Sequence, residues 1–443
     1  MIYVRDILRI CNGTLLSGNE DIKCINFVKD SRLIEPNDIY VGIKGEKFNG
    51  NNFYKEAFSK GASVCLLDKD TVITEKMGTI ILVDDTIKAI QALAKYKRSL
   101  YDIPVIAITG SVGKTSVKDI VYRVVSSQYK TLCTSGNMNN HIGVPFTILG
   151  LKDHEALIVE MGMNHLGEIS VLSKIAQPTI GIITNVGTAH IGNLGSRANI
   201  LKAKMEITDG MFHGLLIINN DNDLLHTVKY ENIVTIGIDN DSDYMANNIH
   251  DNVFSSDFYI NNDHISIPVG SRAFVYNSLF AYAVGKKLGI KDNKIINALN
   301  TFKLTPHRLE LIKCKDYVLI DDTYNASLDS VTNALEMLSK IKGRKVFIFG
   351  DILELDEYAK EIHEKIGKSI LDNSINVLVC VGKNAKETYN TVCKNISAYH
   401  FDNNDDMKKA LNSIIHNDDT ILVKGSHGMN LVEIVEYLKN NYN

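Results

Sequence analysis

From about residue 100 onward, short β-rich apolar runs alternate with helix-like stretches, and this alternation constrains the fold more than any other feature of the chain. The runs are VIAIT ending at Thr109, LIVEM at Met161, IGIIT at Thr184, LLII at Ile218, VLI at Ile320, VFIF at Phe349, VLVCV at Val381 and ILV at Val423. Continuous apolar strands separated by helices belong to parallel sheets covered on both faces, so the expected class is α/β. The intervening stretches have helical stripes: Val331, Ala334, Leu335, Leu338 and Ile341 share one face, as do Leu431, Ile434, Val435 and Leu438. A chain of 443 residues is too long for one core and predicts two to four domains.

Composition narrows the function. Forty-eight Lys and Arg against 52 Asp and Glu give a net charge of -4, without the basic excess of a dedicated nucleic-acid binder. Met1 to Gly13 contains Arg5, Asp6 and Arg9 and lacks a signal-peptide core, and no apolar run approaches the roughly 20 residues of a membrane span. A cytoplasmic protein acting on small molecules is the expectation. Seven cysteines scattered from Cys11 to Cys393, with no CxxC pair, suit reduced thiols better than disulfides or a zinc site.

Residues 1 to about 95 read as a smaller α/β unit, and Ile103 begins the nucleotide-type sheet. The polar stretch Asp239 to Asp263 reads as an edge insertion, and a second break falls near Pro306 to Lys315, where a loop with Pro306 and Arg308 precedes a fresh strand. Thr109, Glu160, Asn185, Asn219, Asp322, Asp351 and Lys424 fall at or just past the carboxyl ends of expected strands, where α/β sheets place ligands.

The sharpest motif is ITGSVGKTS, Ile108 to Ser116, between the strand VIAIT and a helix expected to start near Ser116. Glycines there let backbone N–H groups turn onto phosphate oxygens, Lys114 and the helix N-terminus supply positive charge, and Thr115 can offer its hydroxyl to magnesium. The full GxxxxGK[ST] pattern needs glycine at 108, where this chain has Ile108, so the loop is a shortened variant. Magnesium in such a site needs an acidic residue on a neighbouring strand end. Glu160 is the candidate, with a helix cap or a surface position as the alternative. His190 in TNVGTAHIGNLGS and Lys204 in ILKAKMEI are unusual near such a loop, although a lone histidine is commonly structural and a helical lysine commonly solvated.

These motifs, with DSR and GIKGEKFNG near the start, then GNMNNHIGVPFTIL, EMGMNHLGEI, PHRLE, DDTYNAS, GDILELDEYAKEIH and ILVKGSHGM, follow one another along nearly the whole chain. In that order they resemble the Mur ligases. GNMNNHIGVP and EMGMNHLGEI resemble the branch that adds D-alanyl-D-alanine to UDP-N-acetylmuramoyl-tripeptide. The resemblance implies three domains: residues 1–98 gripping the UDP-sugar peptide, 99–309 a central P-loop ATPase-type parallel sheet, and 310–443 a Rossmann-like domain closing over ATP and the dipeptide. It implies ATP and Mg2+ as cofactors, an acyl-phosphate intermediate and a monomer. Thr109, Gly110, Ser111, Val112, Gly113, Lys114, Thr115 and Ser116 would then hold the phosphates, with Asn277, Arg308, Asp322, Tyr324 and Asn325 around adenine, ribose and the γ-phosphate. Thr115, Glu160, His190 and a carbamylated Lys204 would hold metal, and Lys114, His190, Lys204 and Arg308 would carry the chemistry. Ser31, Arg32, Lys44 and Gly45 match the uridine site, Asn137, Asn140 and Asn185 the central cleft, and Lys424 and Ser426 the dipeptide carboxylate. Three places depart from the family: Asn49-Gly50-Asn51 where DGH is usual, Arg272-Ala273 where HN is usual, and His427 where KGSR ends in arginine. These departures admit two alternatives, a same-fold ligase with another amine or depsipeptide substrate and a non-catalytic nucleotide-binding scaffold.

Overall fold

All eight apolar runs are strands in the computed structural model, which describes residues 2–252 and 254–441. Val105–Thr109, Ala156–Glu160, Ile180–Ile183, Val377–Val381 and Thr420–Lys424 are buried at every position, as strands covered on both faces must be. The chain forms two compact units, one of Met1–Thr109, Tyr129–Ile182 and Ala203–Leu216, the other of Gly110–Gln128, Ile183–Lys202 and Ile217–Asn443.

The first unit opens with a five-stranded sheet in the order Thr14–Ser17, Thr79–Val83, Val64–Asp68, Ile39–Val41, Phe27–Val28, antiparallel only at its first pair. The helix Thr86–Ser99 starts where the Asp85 carboxylate accepts the amides of Ile87 and Lys88, and it buries Ala89, Ile90, Leu93 and Ala94. In the same unit Ala156–Glu160 pairs in parallel with Val105–Thr109 on one side and Thr131–Cys133 on the other. Thr109 and Glu160 therefore end neighbouring strands.

The second unit contains a six-stranded sheet in the order Glu310–Lys313, Val318–Asp322, Thr420–Lys424, Lys345–Gly350, Val377–Val381, Ser397–Phe401. All pairs but the first are parallel. Its core joins Leu319, Ile348, Val379 and Val423 to Leu431, Ile434, Val435 and Leu438. The other stripe residues Val331, Ala334, Leu335 and Leu338 are buried on the helix Leu328–Ser339, which ends before Ile341. The stretch expected as an edge insertion forms Tyr244–Asp251, Ser256–Ile260 and Asp263–Ile267, an antiparallel run at the end of a sheet. The loop with Pro306 and Arg308 runs into the strand Glu310–Lys313, which pairs antiparallel with Val318–Asp322.

All seven cysteines are free, and burial pushes the Cys24 and Cys380 thiols up to about 12, leaving them unreactive. No helix among the described residues is long and apolar enough to cross a membrane.

Candidate nucleotide and ligase site

The phosphate loop leaves its strand at Thr109, whose hydroxyl donates to the Met161 carbonyl (2.9 Å). The next residue admits only glycine: a Cβ on Gly110 would lie 1.8 Å from Thr184 Oγ1. The helix Lys114–Val125 begins two residues before the expected Ser116, because Gly113 takes the N-cap position in the left-handed region at φ 82°. Thr115 and Ser116 are buried, and Lys114 Nζ donates to the Gly110 carbonyl (2.8 Å). Asn277, buried on the helix Arg272–Lys287, faces the loop at Gly113, where an added Cβ would be 3.6 Å from its Oδ1. Asn185 turns its side-chain oxygen onto the Val112 amide (2.9 Å).

Glu160 ends its strand 1% exposed, so it is neither a helix cap nor a surface residue. Its amide donates to Thr134 Oγ1 (3.1 Å) and its Oε1 accepts from Asn139 Nδ2 (2.8 Å). Its Oε2 is buried with no hydrogen-bond partner among the described residues. A buried carboxylate oxygen left over in this way is the complement of a hard divalent cation, so the donor set fits magnesium. Lys204, in the same unit on the helix Arg197–Met205, is 1% exposed rather than solvated. Asn140 Oδ1 accepts the Ile142 and Gly143 amides just ahead of the helix Gly143–Leu149, and Asn137 is exposed.

Near the start of the chain Ser31 is buried in a single turn. Arg32 is exposed and bidentate to Asp30 at 2.9 and 2.7 Å, which holds the Asp30 carboxyl down at about 2. Lys44 bridges to Asn49, and Gly45 N donates to Phe48 O (3.0 Å). The departure at Asn51 is a buried staple. Its Nδ2 donates to Asn49 Oδ1 and Asp68 Oδ2 (both 2.8 Å), and its Oδ1 accepts from Asp68 N (2.9 Å). Arg272 pairs with Asp239.

A second cluster gathers the remaining residues. The Arg308 guanidinium lies 3.8 Å over the Tyr324 ring, and its buried Nε has no hydrogen-bond partner among the described residues. Left-handed residues flank it: His307 at φ 64°, with Nδ1 2.7 Å from Asp321 Oδ2, and Leu309 at φ 52°, whose amide donates to Asp322 Oδ1 (3.2 Å). Lys424 is buried, 2.6 Å from Asp322 Oδ2 and 2.9 Å from the Asn325 carbonyl. Burial pushes the Asp322 carboxyl up, opposed by Lys424 and Arg308. Lys424→Met should destabilise the protein by about 3–5 kcal/mol, because it strands a buried carboxylate. Denaturant midpoints would measure this, and an unchanged midpoint would remove the pair from the structural core.

His190, itself left-handed at φ 63°, has Nδ1 3.3 Å from Glu354 Oε2. The loop carrying it is held by Thr188 N on Asp329 Oδ2 (3.1 Å) and by Tyr358 OH on Gly195 O (3.0 Å). Ser426 Oγ accepts from Leu353 N (3.0 Å), and the His363 ring accepts from Ile352 N (3.2 Å) while donating to Ala359 O (2.7 Å). Ser426 is thus tied to the GDILELDEY loop, and His427 lies 6.3 Å from Tyr324, ring to ring.

Residues 108–285 match the Mur ligase middle domain, and residues 307–427 match the Mur ligase, glutamate ligase domain. A Bacillus subtilis protein named UDP-N-acetylmuramoyl-tripeptide--D-alanyl-D-alanine ligase is 34% identical over 446 residues, covering 98% of each chain. The chain belongs to the Mur ligase family. This Mur ligase superposes on MurF from Acinetobacter baumannii with a TM-score of 0.91 at 28% identity over 99% of both chains. Its TM-score against the Thermotoga maritima MurF ligase in complex with ADP is 0.83, at 27% identity over 94% of this chain and 97% of that one.

Several residues of this Mur ligase escaped sequence reasoning. Asn139, the partner of Glu160, sits among three asparagines in four positions, and only the backbone path decides which one turns inward. Thr184, Asp321 and Glu354 carried no local signal beyond standing inside motifs already singled out, and Asp329 stands two residues past DDTYNAS.

Proposed function

We propose that this protein is the ATP-dependent ligase that joins D-alanyl-D-alanine to UDP-N-acetylmuramoyl-tripeptide, giving the UDP-pentapeptide for peptidoglycan synthesis. The observation that carries the reading is end-to-end similarity to a relative named for that reaction, with the phosphate loop intact and Glu160 buried with one oxygen unpartnered among the described residues. The domain division of the reading is 1–98, 99–309 and 310–443, in keeping with the matched ranges 108–285 and 307–427.

A carboxylate resists amide formation because its charge repels nucleophiles and its oxide leaves poorly. The tripeptide's terminal carboxylate oxygen attacks the γ-phosphorus in line and ADP departs, leaving an acyl phosphate. Lys114, Arg308 and the N-terminal amides of the helix Lys114–Val125 offset charge on the transferring group. Asn277, Tyr324, Asp322 and Asn325 orient the nucleotide. Ser31, Arg32, Lys44 and Gly45 hold the uridine end, Asn137 and Asn140 line the cleft, and Lys424 and Ser426 support the dipeptide side. Thr115, Glu160, His190 and Lys204 as its carbamate are the residues that would hold magnesium, which when bound neutralises phosphate charge. The dipeptide amine then attacks the acyl carbonyl, and phosphate leaves as the amine loses its proton. The reading places the reaction in the cytoplasm, in a monomer.

The test is mass spectrometry of a reaction containing the protein, ATP, magnesium, UDP-N-acetylmuramoyl-tripeptide and D-alanyl-D-alanine, each omitted in turn. The expected result is the UDP-pentapeptide with one phosphate released per product, dependent on every component. Absence of product with this acceptor and amine, alongside turnover of a depsipeptide or another amine, would replace the substrate assignment.

A further inference from the structure

Backbone amides make a phosphate loop work, so each one is worth following to its acceptor. The first helical bond after the loop runs from Val117 N to Gly113 O (2.8 Å), so the helix itself leaves the amides before Val117 to other acceptors. Two loop amides do not point toward a ligand. Ser111 N donates to the Asn185 backbone carbonyl (3.1 Å), and Val112 N donates to Asn185 Oδ1 (2.9 Å). Two further bonds complete the attachment: Thr184 Oγ1 donates to Val112 O (2.6 Å), and Gly187 N donates to Ser111 Oγ (2.9 Å). Residues 111–112 are thus fastened by four bonds to residues 184–187. Gly110 permits it, since any side chain there meets Thr184.

The shortened loop gives this attachment its purpose. Position 108, where the full motif has glycine, is Ile108, fully buried inside the strand. The turn is left to Gly110–Gly113, too few residues to hold its own shape by wrapping. We propose that Asn185, with Thr184, is a positioning residue for the phosphate loop, acting on nucleotide binding and not on the muropeptide. The proposal rests on the nucleotide-binding reading above. Asn185 fixes Ser111 and Val112 so that phosphate is left to the amides from Gly113 onward and to Lys114.

The experiment measures ADP affinity with magnesium, UDP-N-acetylmuramoyl-tripeptide affinity and the two KM values for the intact protein and for Asn185→Leu and Thr184→Val. Asn185→Leu removes the acceptor and leaves the Val112 amide unpaired, so ADP binding and the ATP KM are expected to worsen about tenfold. Muropeptide affinity stays within about twofold, and Thr184→Val shifts ADP affinity in the same direction. Wild-type-like ADP binding in Asn185→Leu, or loss of muropeptide affinity with ADP affinity kept, would overturn the proposal. If Asn185→Leu does not fold, the near-isosteric Thr184→Val decides, and unchanged ADP affinity there overturns it. A wild-type protein that binds no ADP would instead sink the ligase reading, an outcome distinct from a defect confined to the variants.

Discussion

Lys114→Ala lowers turnover by about a thousandfold or more, in the range seen when a single cationic clamp on a transferring phosphoryl group is removed. Lys114 is the first residue of its helix, so its charge adds to the positive end of the helix dipole. Its Nζ now rests on the Gly110 carbonyl (2.8 Å), a weak neutral acceptor that phosphate oxygens would displace. The side chain is half-buried, so the thermal midpoint should move little. Single-turnover phosphate release separates the outcomes: near-normal release from a folded variant would refute the assigned role.

Lys204→Met is expected to lose activity by about a hundredfold or more, because it keeps the buried stem and deletes the amine that, on the proposed reading, becomes a carbamate. The chemistry sets a second signature. A neutral amine adds carbon dioxide to form a carbamate anion and releases one proton, and acid reverses the reaction. Wild-type activity should therefore fall as the pH drops in carbon-dioxide-depleted buffer and recover on adding bicarbonate, whereas Lys204→Met should respond to neither. Labelled bicarbonate offers a readout independent of turnover: a carbamate carbon resonance in the wild type that is absent from the variant. Identical spectra from the two proteins would remove Lys204 from the metal set.

What the sequence disclosed was mostly local. The eight strands were legible because unbroken apolar runs leave little choice of partner but a doubly covered sheet, and residues at their carboxyl ends inherit the ligand face. The phosphate loop was legible because its chemistry is contained in nine residues. Pairings across the chain were not. Lys424 and Asp322 lie 102 positions apart, and neither residue advertises burial. The Asn185 side chain could face the cleft or the loop from the same backbone position, and only the path of Thr184–Gly187 decides. The strand Glu310–Lys313 is short and only half-buried, with no apolar run to mark its bounds.

The left-handed residues on either side of Arg308 fix where its side chain points. Glycine would occupy positions 307 and 309 without strain. This sequence has instead a histidine bound to Asp321 and a leucine buried to 8% exposure. Each side chain anchors the backbone in a conformation it would otherwise avoid. The Arg308 guanidinium is consequently held in one orientation over Tyr324 by its two neighbours, and replacing either of them would loosen that hold.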